Sequence, residues 1–414
     1  MRTKKLRVGL WVVAVLLLGG SLYAAHTYRR YSVIGVAASM CHVFENGFRD
    51  DAPLHWLFYL VGDENFRRGW KLAHAPSVHV SLGVYRTQLT DPDLRALATL
   101  TNVTVLNLGE DDTTATTITD KELQCFSGMT SVETVWLHGS GVTDAGLVHL
   151  SRMTNLRHLV LRDTAISDAG LPALVTLPGL KDHGWLDLSG TKISDAGLAS
   201  LEAMPQLLTL ELQNTKITDA GLNHLKSLVG LKTLALSATK VSDAGMERLS
   251  QLASLKELYL GGTEVTDAGL GRLAEMTRLT DLVLSETRIT DAGLIHLQGL
   301  KDLVTLSLSG TDVSDAGLGC LAEMKGLSWL DLSDTQITDA GLIHLRELRR
   351  LRYLHLAGTQ ISDAGVSELK RIATDTPLIE MDLTRTGLSD AGVQSLGGTP
   401  SFSENRRISF RRPW

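Results

Sequence analysis

The sequence predicts an α/β solenoid of about 13 repeats, each with one short parallel strand and one short helix. Three observations predict it. The stretch at residues 263–270 recurs with small changes, for example at 287–294 and 311–318. The recurrence has a period of 24 residues. Within each period the apolar spacing changes from every second to every third residue, as expected for a strand followed by a helix.

One aspartate marks the same place in each repeat. Most of these residues lie 24 positions apart, but the spacing is 29 before Asp120 and 27 before both Asp195 and Asp390. The extra residues fall near 110–114, 181–184 and 372–376, where we expect loops to absorb them. The thirteen markers are Asp91, Asp120, Asp144, Asp168, Asp195, Asp219, Asp243, Asp267, Asp291, Asp315, Asp339, Asp363 and Asp390.

The elements of one repeat follow from its apolar residues. Leu258 and Leu260 lie nine and seven residues before Asp267, and this alternation predicts a strand with one buried face. After the aspartate, apolar residues such as Leu270 and Leu273 recur every three positions. That spacing predicts a helix that is short or partly 3₁₀. Neither element can bury its apolar face alone, so stacking of repeats supplies the core.

The recurring polar residues are predicted to be structural. The first repeat reads Thr90-Asp91-Pro92, and proline is favoured in the first helical turn, so we expect Asp91 and its equivalents to be N-caps. Gly269 is expected to let neighbouring repeats pack closely. Thr263, four residues before its aspartate, is expected to bond the backbone of the neighbouring repeat. A Ca²⁺ site of stacked aspartates is the alternative, but N-capping already uses those oxygens.

The pattern from Leu255 to Leu273, Leu-x-x-Leu-x-Leu-x-x-Thr-x-Val-Thr-Asp-Ala-Gly-Leu-x-x-Leu, resembles a leucine-rich repeat. It is similar to the ribonuclease-inhibitor-like and cysteine-containing subclasses, with Thr where those carry Asn or Cys. The Asp-Ala-Gly-Leu variant resembles bacterial repeat proteins of the planctomycete type. The resemblance covers about residues 77–400 and implies a curved horseshoe with strands on its concave face and helices outside.

The N-terminus predicts a single-pass membrane anchor. A basic tail at residues 1–7 precedes an uncharged apolar run at 8–25. As a helix this run spans about 27 Å, close to the hydrocarbon thickness of a bilayer. The excess of basic residues before it places the repeat domain outside the cytoplasm. A cleaved signal peptide, which would make the protein secreted, is the alternative.

Two segments flank the repeat domain at 77–400. Residues 26–76 are rich in aromatics and are expected to form a juxtamembrane segment and an N-terminal cap, since a first repeat would otherwise expose an apolar flank. The residues at 401–414 form a basic tail, expected to be solvated or to contact an anionic surface.

Composition excludes several classes of function. A net charge of −6 and a pI of about 6.1 indicate no nucleic-acid partner. Cys41, Cys125 and Cys320 show neither metal-ligand nor disulfide spacing, and the last two are expected to be buried in repeat helices. The sequence contains no phosphate loop or hydrolase motif, so we expect no enzyme and no cofactor. Four recurring histidines lie in non-adjacent repeats, too far apart to share Zn²⁺: His149, His224, His296 and His344.

A partner is expected on the strand positions that the scaffold leaves free, six, four and two residues before the recurring Thr or Ser. Aromatic residues there are typical interface anchors, although strands also favour them for packing. The candidate partner-binding residues are Trp136, His138, His158, Trp185, Asp187, Glu211, Tyr259, Trp329, Asp331, Tyr353 and His355.

The same positions are acidic, which favours a basic protein or peptide partner. A solubilising surface is the alternative, and Lys192, Lys216 and Lys240 could offset Asp187 and Glu211 locally. Against the single Arg162, the acidic residues are Asp187, Glu211, Glu257, Asp281, Asp331, Glu380 and Asp382.

Three functions are compatible with these features. The leading hypothesis is a membrane-anchored scaffold that binds a protein or ligand through its concave face. The first alternative is a structural, self-associating envelope protein. The second is a ubiquitin-ligase-type substrate adaptor, by resemblance to F-box leucine-rich repeat proteins. No convincing F-box is present in residues 26–76, and a membrane anchor argues against that role.

Overall fold

A computed structural model of the chain describes residues 80–83, 94, 98–100, 103–109, 118–397 and 407–409. They fall into two compact units. The first comprises the chain up to Thr164 together with Thr176–Leu180, and the second comprises Ala165–Val175 and the chain from Lys181 onward. The predicted anchor at 8–25, the segment at 26–76 and the marker Asp91 lie outside the described residues.

The described part of the first unit contains four parallel strands paired in chain order. They are β1 (Val80–Gly83), β2 (Val103–Asn107), β3 (Thr134–Trp136) and β4 (His158–Val160). An α-helix at Asp120–Cys125 and a 3₁₀ helix at Gly146–Leu150 follow β2 and β3, and the α-helix Pro178–Lys181 begins in this unit.

Among its described residues, the second unit contains ten parallel strands, and each of its paired strands is in direct register with the next. They are β5 (Trp185–Asp187), β6 (Thr209–Glu211), β7 (Thr233–Ala235), β8 (Glu257–Tyr259), β9 (Asp281–Val283), β10 (Thr305–Ser307), β11 (Trp329–Asp331), β12 (Tyr353–His355), β13 (Glu380–Asp382) and β14 (Arg407–Ser409). The residues of β14 belong to the segment expected to be a basic tail, so the tail contributes a strand beside the last repeat.

Short helices alternate with these strands, as the apolar spacing predicts. The α-helices of the second unit are Leu171–Leu174, Asp195–Leu201, Asp243–Leu249, Asp267–Leu273, Asp291–Leu294, Asp315–Leu321, Val366–Asp375 and Asp390–Gly397. Its 3₁₀ helices are Asp168–Gly170, Gly221–Ser227, Ile295–Leu297, Gly341–Glu347 and Asp363–Gly365. The expected mixture of α and 3₁₀ geometry is therefore present.

Stacked leucines form the core. The middle residue of each strand from β3 to β13, such as Leu258 or Leu330, is completely buried, and so are helix residues such as Leu270 and Leu273. Full burial of one such side chain contributes about 1.5–3 kcal/mol. Cys125 and Cys320 lie in repeat helices as expected, but they are free thiols that are only partly buried.

The recurring aspartate joins repeats instead of capping its own helix. Asp267 is the first residue of its helix, and Thr266 before it is the N-cap. The Asp267 carboxylate accepts the backbone N–H of Thr290, in the next repeat, at 2.8 Å and the Thr290 hydroxyl at 2.6 Å. The prediction that the aspartate is the N-cap is therefore wrong by one position, because the preceding Ser or Thr already fills that role.

This bidentate contact, which we call the aspartate clamp, occurs throughout the second unit, with N–O distances of 2.7–2.9 Å. In the first unit, Asp120 makes the same pair of bonds to Thr143. The clamps of the second unit join Asp168–Ser194, Asp195–Thr218, Asp219–Ser242, Asp243–Thr266, Asp267–Thr290, Asp291–Ser314, Asp315–Thr338, Asp339–Ser362 and Asp363–Ser389.

Thr263 and its equivalents hold their own repeat together. The buried Thr263 hydroxyl donates to the carbonyl of Leu260, three residues earlier, at 2.6 Å. The prediction that Thr263 ties neighbouring repeats is wrong, because its hydroxyl bonds the carbonyl of Leu260, the residue that follows strand β8 of the same repeat. Gly262, just before it, has a φ of 66°, and the equivalent Ala238 has 55°. The turn therefore needs a left-handed residue at this position.

The extra residues at 372–376 are not in a loop. They continue the helix Val366–Asp375, which has ten residues where a regular repeat has up to seven. The Thr376 hydroxyl donates to the carbonyl of Ile372 at 2.7 Å and ends the helix. The apolar residues Val366, Leu369 and Ile372 are buried at helical spacing, so the insertion adds a turn.

Candidate partner-binding face

The strands β5–β13 of the second unit present one face outward. In β11 the middle residue Leu330 is buried, whereas Trp329 and Asp331 are half-buried on the opposite face. We call this surface the strand face. Because the strands pair in register, equivalent residues lie side by side in columns, about 4.8 Å apart. The first column reads Trp185, Thr209, Thr233, Glu257, Asp281, Thr305, Trp329, Tyr353 and Glu380, and the third-residue column reads Asp187, Glu211, Ala235, Tyr259, Val283, Ser307, Asp331, His355 and Asp382.

An aromatic cluster lies on β11 and β12. Trp329 is the register partner of Tyr353. The His355 ring packs against Trp329 with its centroid 5.2 Å away and an interplanar angle of 72°. This edge-to-face geometry is a preferred one for aromatic rings. All three side chains are half-buried, so each is held by its neighbours and still presents part of its ring to a partner.

Three aspartates of the third-residue column each make the same kind of local hydrogen bond. Oδ1 of Asp187, Asp331 and Asp382 accepts the backbone N–H two residues later, at 2.9, 3.0 and 2.9 Å respectively. Such a bond stabilises the turn that follows the strand. In the first unit Asn107 accepts the N–H of Gly109 in the same way, at 3.2 Å. An amide oxygen therefore makes the same turn bond as a carboxylate, so this bond does not require a charge.

Other acidic residues of the strand face also contact neutral donors. The Trp185 indole N–H donates to Glu211 at 2.9 Å, and the Thr233 hydroxyl donates to Glu257 at 2.9 Å. Burial, followed by the negative charges of Glu257 and Asp281, raises the pKa of Tyr259 to about 12. The Tyr259 hydroxyl thus stays protonated, mainly because it is partly buried and next because carboxylates lie near it.

The nearby lysines do not pair with the buried acid of β5. The Asp187 side chain is buried and accepts the N–H of Ser189, whereas Lys192, Lys216 and Lys240 are exposed at the other end of the turn. Within the described part of the chain, no ion pair joins any of these lysines to Asp187. The expected offset of its charge therefore does not take the form of a salt bridge.

The first unit carries three of the sequence-predicted site residues. The ring of Trp136 packs edge-on against His138, with centroids 6.2 Å apart. A Cβ on Gly109 would lie 2.2 Å from the His138 ring, so glycine makes room for it. His158 Nδ1 is 3.1 Å from the Thr134 hydroxyl, and loss of solvation is the main cause that lowers its pKa below the usual value. This histidine is therefore neutral at pH 7.

The eleven candidates thus form separate groups. Four lie together on β11 and β12, three lie on β5 and β6, Tyr259 lies alone on β8, and three lie in the first unit. Glu380 and Asp382, expected only as acidic residues of this surface, complete the group on β11–β13. The signal that could have found them is the shared spacing of Trp329-Leu-Asp331 and Glu380-Met-Asp382.

The recurring histidines lie on the surface of the repeat helices. His224 Nδ1 lies 2.6 Å from Glu202 Oε1 in the preceding repeat. The side chains that the structure describes include no group of three or more His, Cys, Asp or Glu that could hold a metal ion. Among the same residues, no helix is both long and apolar enough to cross a bilayer. The predicted anchor at 8–25 lies outside them and stays a prediction.

Comparison with known proteins agrees with this geometry. A family model described as "Leucine Rich repeat" matches residues 152–175, 186–201, 251–274, 300–322, 327–345 and 347–370. No curated protein matches the chain. The crystal structure of an internalin (inlF) from Listeria monocytogenes is similar with a TM-score of 0.53 and 23% identity, covering 80% of this chain and 84% of that one.

A second internalin structure, internalin C2 (inlC2) from Listeria monocytogenes, gives a TM-score of 0.38 at 23% identity and covers 52% of this chain and 84% of that one. The matched repeats, the inlF structure and the register of the strands agree on one fold. Parallel strands that alternate with short helices at a 24-residue period, with a leucine core, identify the fold as that of a leucine-rich repeat solenoid.

Proposed function

We propose that this protein is a membrane-anchored scaffold that binds a basic protein or peptide on the strand face of its second unit. The observation that carries the proposal is the charge of that face. Its two columns on β5–β13 contain seven carboxylates and no Lys or Arg. Like charges on strands about 4.8 Å apart repel each other, and a cationic partner removes that repulsion.

The hydrogen bonds of the acids support the same conclusion. Asp331 and Asp382 are each held by a backbone N–H through Oδ1. A neutral N–H fixes each carboxylate without neutralising its charge, and Arg385 is a cation that attracts Asp382 from the turn after β13. Trp329 and Tyr353 lie directly beside these acids. Half-buried aromatics next to fixed charges are a typical arrangement for the anchors of a protein interface.

The apolar run at 8–25 would hold the scaffold at a membrane, with the repeats outside the cytoplasm. This part of the proposal is tested with intact cells that express the full chain with a C-terminal epitope. External protease should remove the epitope, and the protein should stay with the membrane fraction after a carbonate wash. Protection of the epitope would reverse the orientation, and release by the wash would favour the cleaved, secreted form.

The binding role is tested by quantitative cross-linking of the full chain in its native cell. The double variant Asp331→Asn/Asp382→Asn keeps the turn hydrogen bonds, because an amide oxygen accepts them as Asn107 does, and removes two charges. Ile295→Ala, on the exposed helix side, is the matched control. Loss of the same cross-linked partner in the double variant alone supports the proposal. An unchanged cross-link pattern contradicts it, and cross-links only to a second copy of the chain would favour the structural alternative.

A further inference from the structure

The chemistry of the strand face between β11 and β13 is ordered across the strands. In the first column Trp329, Tyr353 and Glu380 are register partners, so two aromatic rings are followed by an acid. In the third-residue column Asp331, His355 and Asp382 lie beside them in the same order of strands. Any one of these strands offers only three residues. A partner that uses the aromatics and the acids together must therefore run across the strands.

The spacing of the strands then selects the backbone of the partner. One turn of an α-helix advances about 5.4 Å, and neighbouring strands lie about 4.8 Å apart. The spacing of helix side chains one turn apart thus exceeds the strand spacing by about 0.6 Å per strand. The mismatch is about 1.2 Å over β11–β13, which side-chain rotation absorbs. Alternate side chains of an extended peptide are about 6.6 Å apart, and the same two steps produce a mismatch of about 3.6 Å.

We propose that the partner of the strand face presents a basic amphipathic α-helix, which lies across β11–β13. The inference rests on the proposed function and specifies its partner. Apolar residues at i and i+4 of that helix contact Trp329 and Tyr353, and a Lys or Arg at i+7 meets Glu380. Two further basic residues beside this stripe meet Asp331 and Asp382. The mismatch between helix spacing and strand spacing grows to about 5 Å over the eight steps of β5–β13. A straight helix can therefore stay aligned with only a few strands.

The probe is a synthetic peptide of about 15 residues, with Leu at i and i+4, Lys at i+7 and two flanking Lys residues, held helical by a side-chain bridge on its opposite face. Two control peptides share its charge. One is bridged but carries both leucines on the opposite face, and the other is unbridged and carries a central proline. Binding to the full chain in detergent micelles is measured by fluorescence anisotropy at low and physiological salt.

Three variants locate the peptide. Trp329→Ala/Tyr353→Ala should weaken binding of the helical probe by about tenfold or more, as expected for aromatic anchors. Asp331→Asn/Asp382→Asn should weaken it mainly at low salt, because only charge is removed. Ile343→Ala, on the exposed side of the helix Gly341–Glu347, is the control and should leave binding unchanged. Cooperative thermal unfolding of each variant checks that the fold is intact.

The expected result is that the helical probe binds at least about tenfold more tightly than the proline peptide and the peptide with displaced leucines. If the proline peptide binds equally well and still depends on Trp329 and Tyr353, the partner is extended, and the helix proposal is overturned while the proposed function stands. Equal binding of all three peptides, independent of the aromatics, also overturns it and reveals unspecific charge attraction. Absence of binding by every peptide rejects the helical partner, and the cross-linking experiment then decides the proposed function separately.

Discussion

Gly269 and the aspartate clamp of the preceding repeat occupy adjoining space, so substitutions at the two sites should be strongly coupled. A Cβ on Gly269 would lie 2.4 Å from Oδ1 of Asp243, 3.0 Å from Cγ of Met246 and 3.1 Å from Cγ1 of Val265. That same Oδ1 accepts the backbone N–H of Thr266 at 2.7 Å. The substitution Gly269→Ala must therefore displace the carboxylate and strain the clamp.

The magnitudes follow from these contacts. Insertion of a methyl group into a packed site costs about 1–3 kcal/mol, from which the helix preference of Ala over Gly recovers up to about 1 kcal/mol, so Gly269→Ala should cost about 2 kcal/mol. Asp243→Ala removes a charged acceptor of two hydrogen bonds, at 2.7 and 2.6 Å. At about 1.5 kcal/mol for each bond, it should cost about 3 kcal/mol.

In the double variant the carboxylate is absent. The nearest remaining atom is then Cγ of Met246, on a flexible side chain that can move by a few tenths of an ångström. Gly269→Ala should accordingly be nearly neutral in the Asp243→Ala background. The coupling energy of the double-mutant cycle should be about 2 kcal/mol, well above the additivity error of about 0.5 kcal/mol.

The assay is urea unfolding of the full chain, followed by far-UV circular dichroism, for the wild type, both single variants and the double variant. Gly271→Ala is the matched control in the same helix, because its Cβ would meet the His296 ring at an ordinary distance of 3.7 Å. It should be neutral or stabilise by up to about 1 kcal/mol. Additive effects at residues 243 and 269 would refute the view that the glycine exists to accommodate the carboxylate.

Three further predictions concern single repeats. Thr263→Val should destabilise by about 1 kcal/mol in urea unfolding, since it removes a buried hydroxyl that donates to its own turn, while Thr263→Ser should be nearly neutral. Gly262→Ala should cost about 1 kcal/mol because its φ is 66°, and Ala238→Gly should cost nothing or stabilise, because the φ of 55° is then unstrained. The side-chain and then the backbone hydrogen bond from Ser389 lower the pKa of Asp363 from the ordinary 3.8, so this clamp stabilises above pH 3.8 and its contribution is lost as the pH falls through the lowered value. Ser389→Ala should raise that pKa toward 3.8 in an NMR titration, and an unchanged titration would contradict the assignment.

The elements of the fold could be predicted because their signals are local. The alternation around Leu258 and the three-residue spacing from Leu270 state directly which side of each element is buried. The role of the recurring aspartate was predicted wrongly because its hydrogen-bond partners lie about one repeat away in the chain. Thr266 and Asp267 are both favourable N-cap residues, and local rules do not decide between them. The Asp267 carboxylate can bond Thr290 because Thr266 already caps the helix.

The sequence predicts which candidate residues share a column of the strand face, but it does not predict which side chains contact each other. Counting back from the recurring Thr places Trp329 and Tyr353 on one face, and the register of β11 and β12 makes them neighbours. The edge-to-face contact of His355 with Trp329 joins the first residue of one strand to the third residue of the next. A linear count gives no reason to prefer that diagonal pair. Nor does it show that Asp331 is committed to a turn through Oδ1.

The two columns of the strand face are under different constraints, and this suggests where specificity resides. At the third residue, Asp187, Asp331 and Asp382 each accept a hydrogen bond from the following turn, so an exchange that keeps this bond needs a side-chain oxygen at the same place. Ala235 and Val283 show that the turn also forms without this bond. The first residue has no such duty, and it varies from Trp329 to Thr305 on adjacent strands of one frame. Changes in the first column can therefore alter the partner at little cost in stability. Changes in the third-residue column alter the charge of the face, and an Asp-to-Asn exchange there keeps the hydrogen bond to the turn.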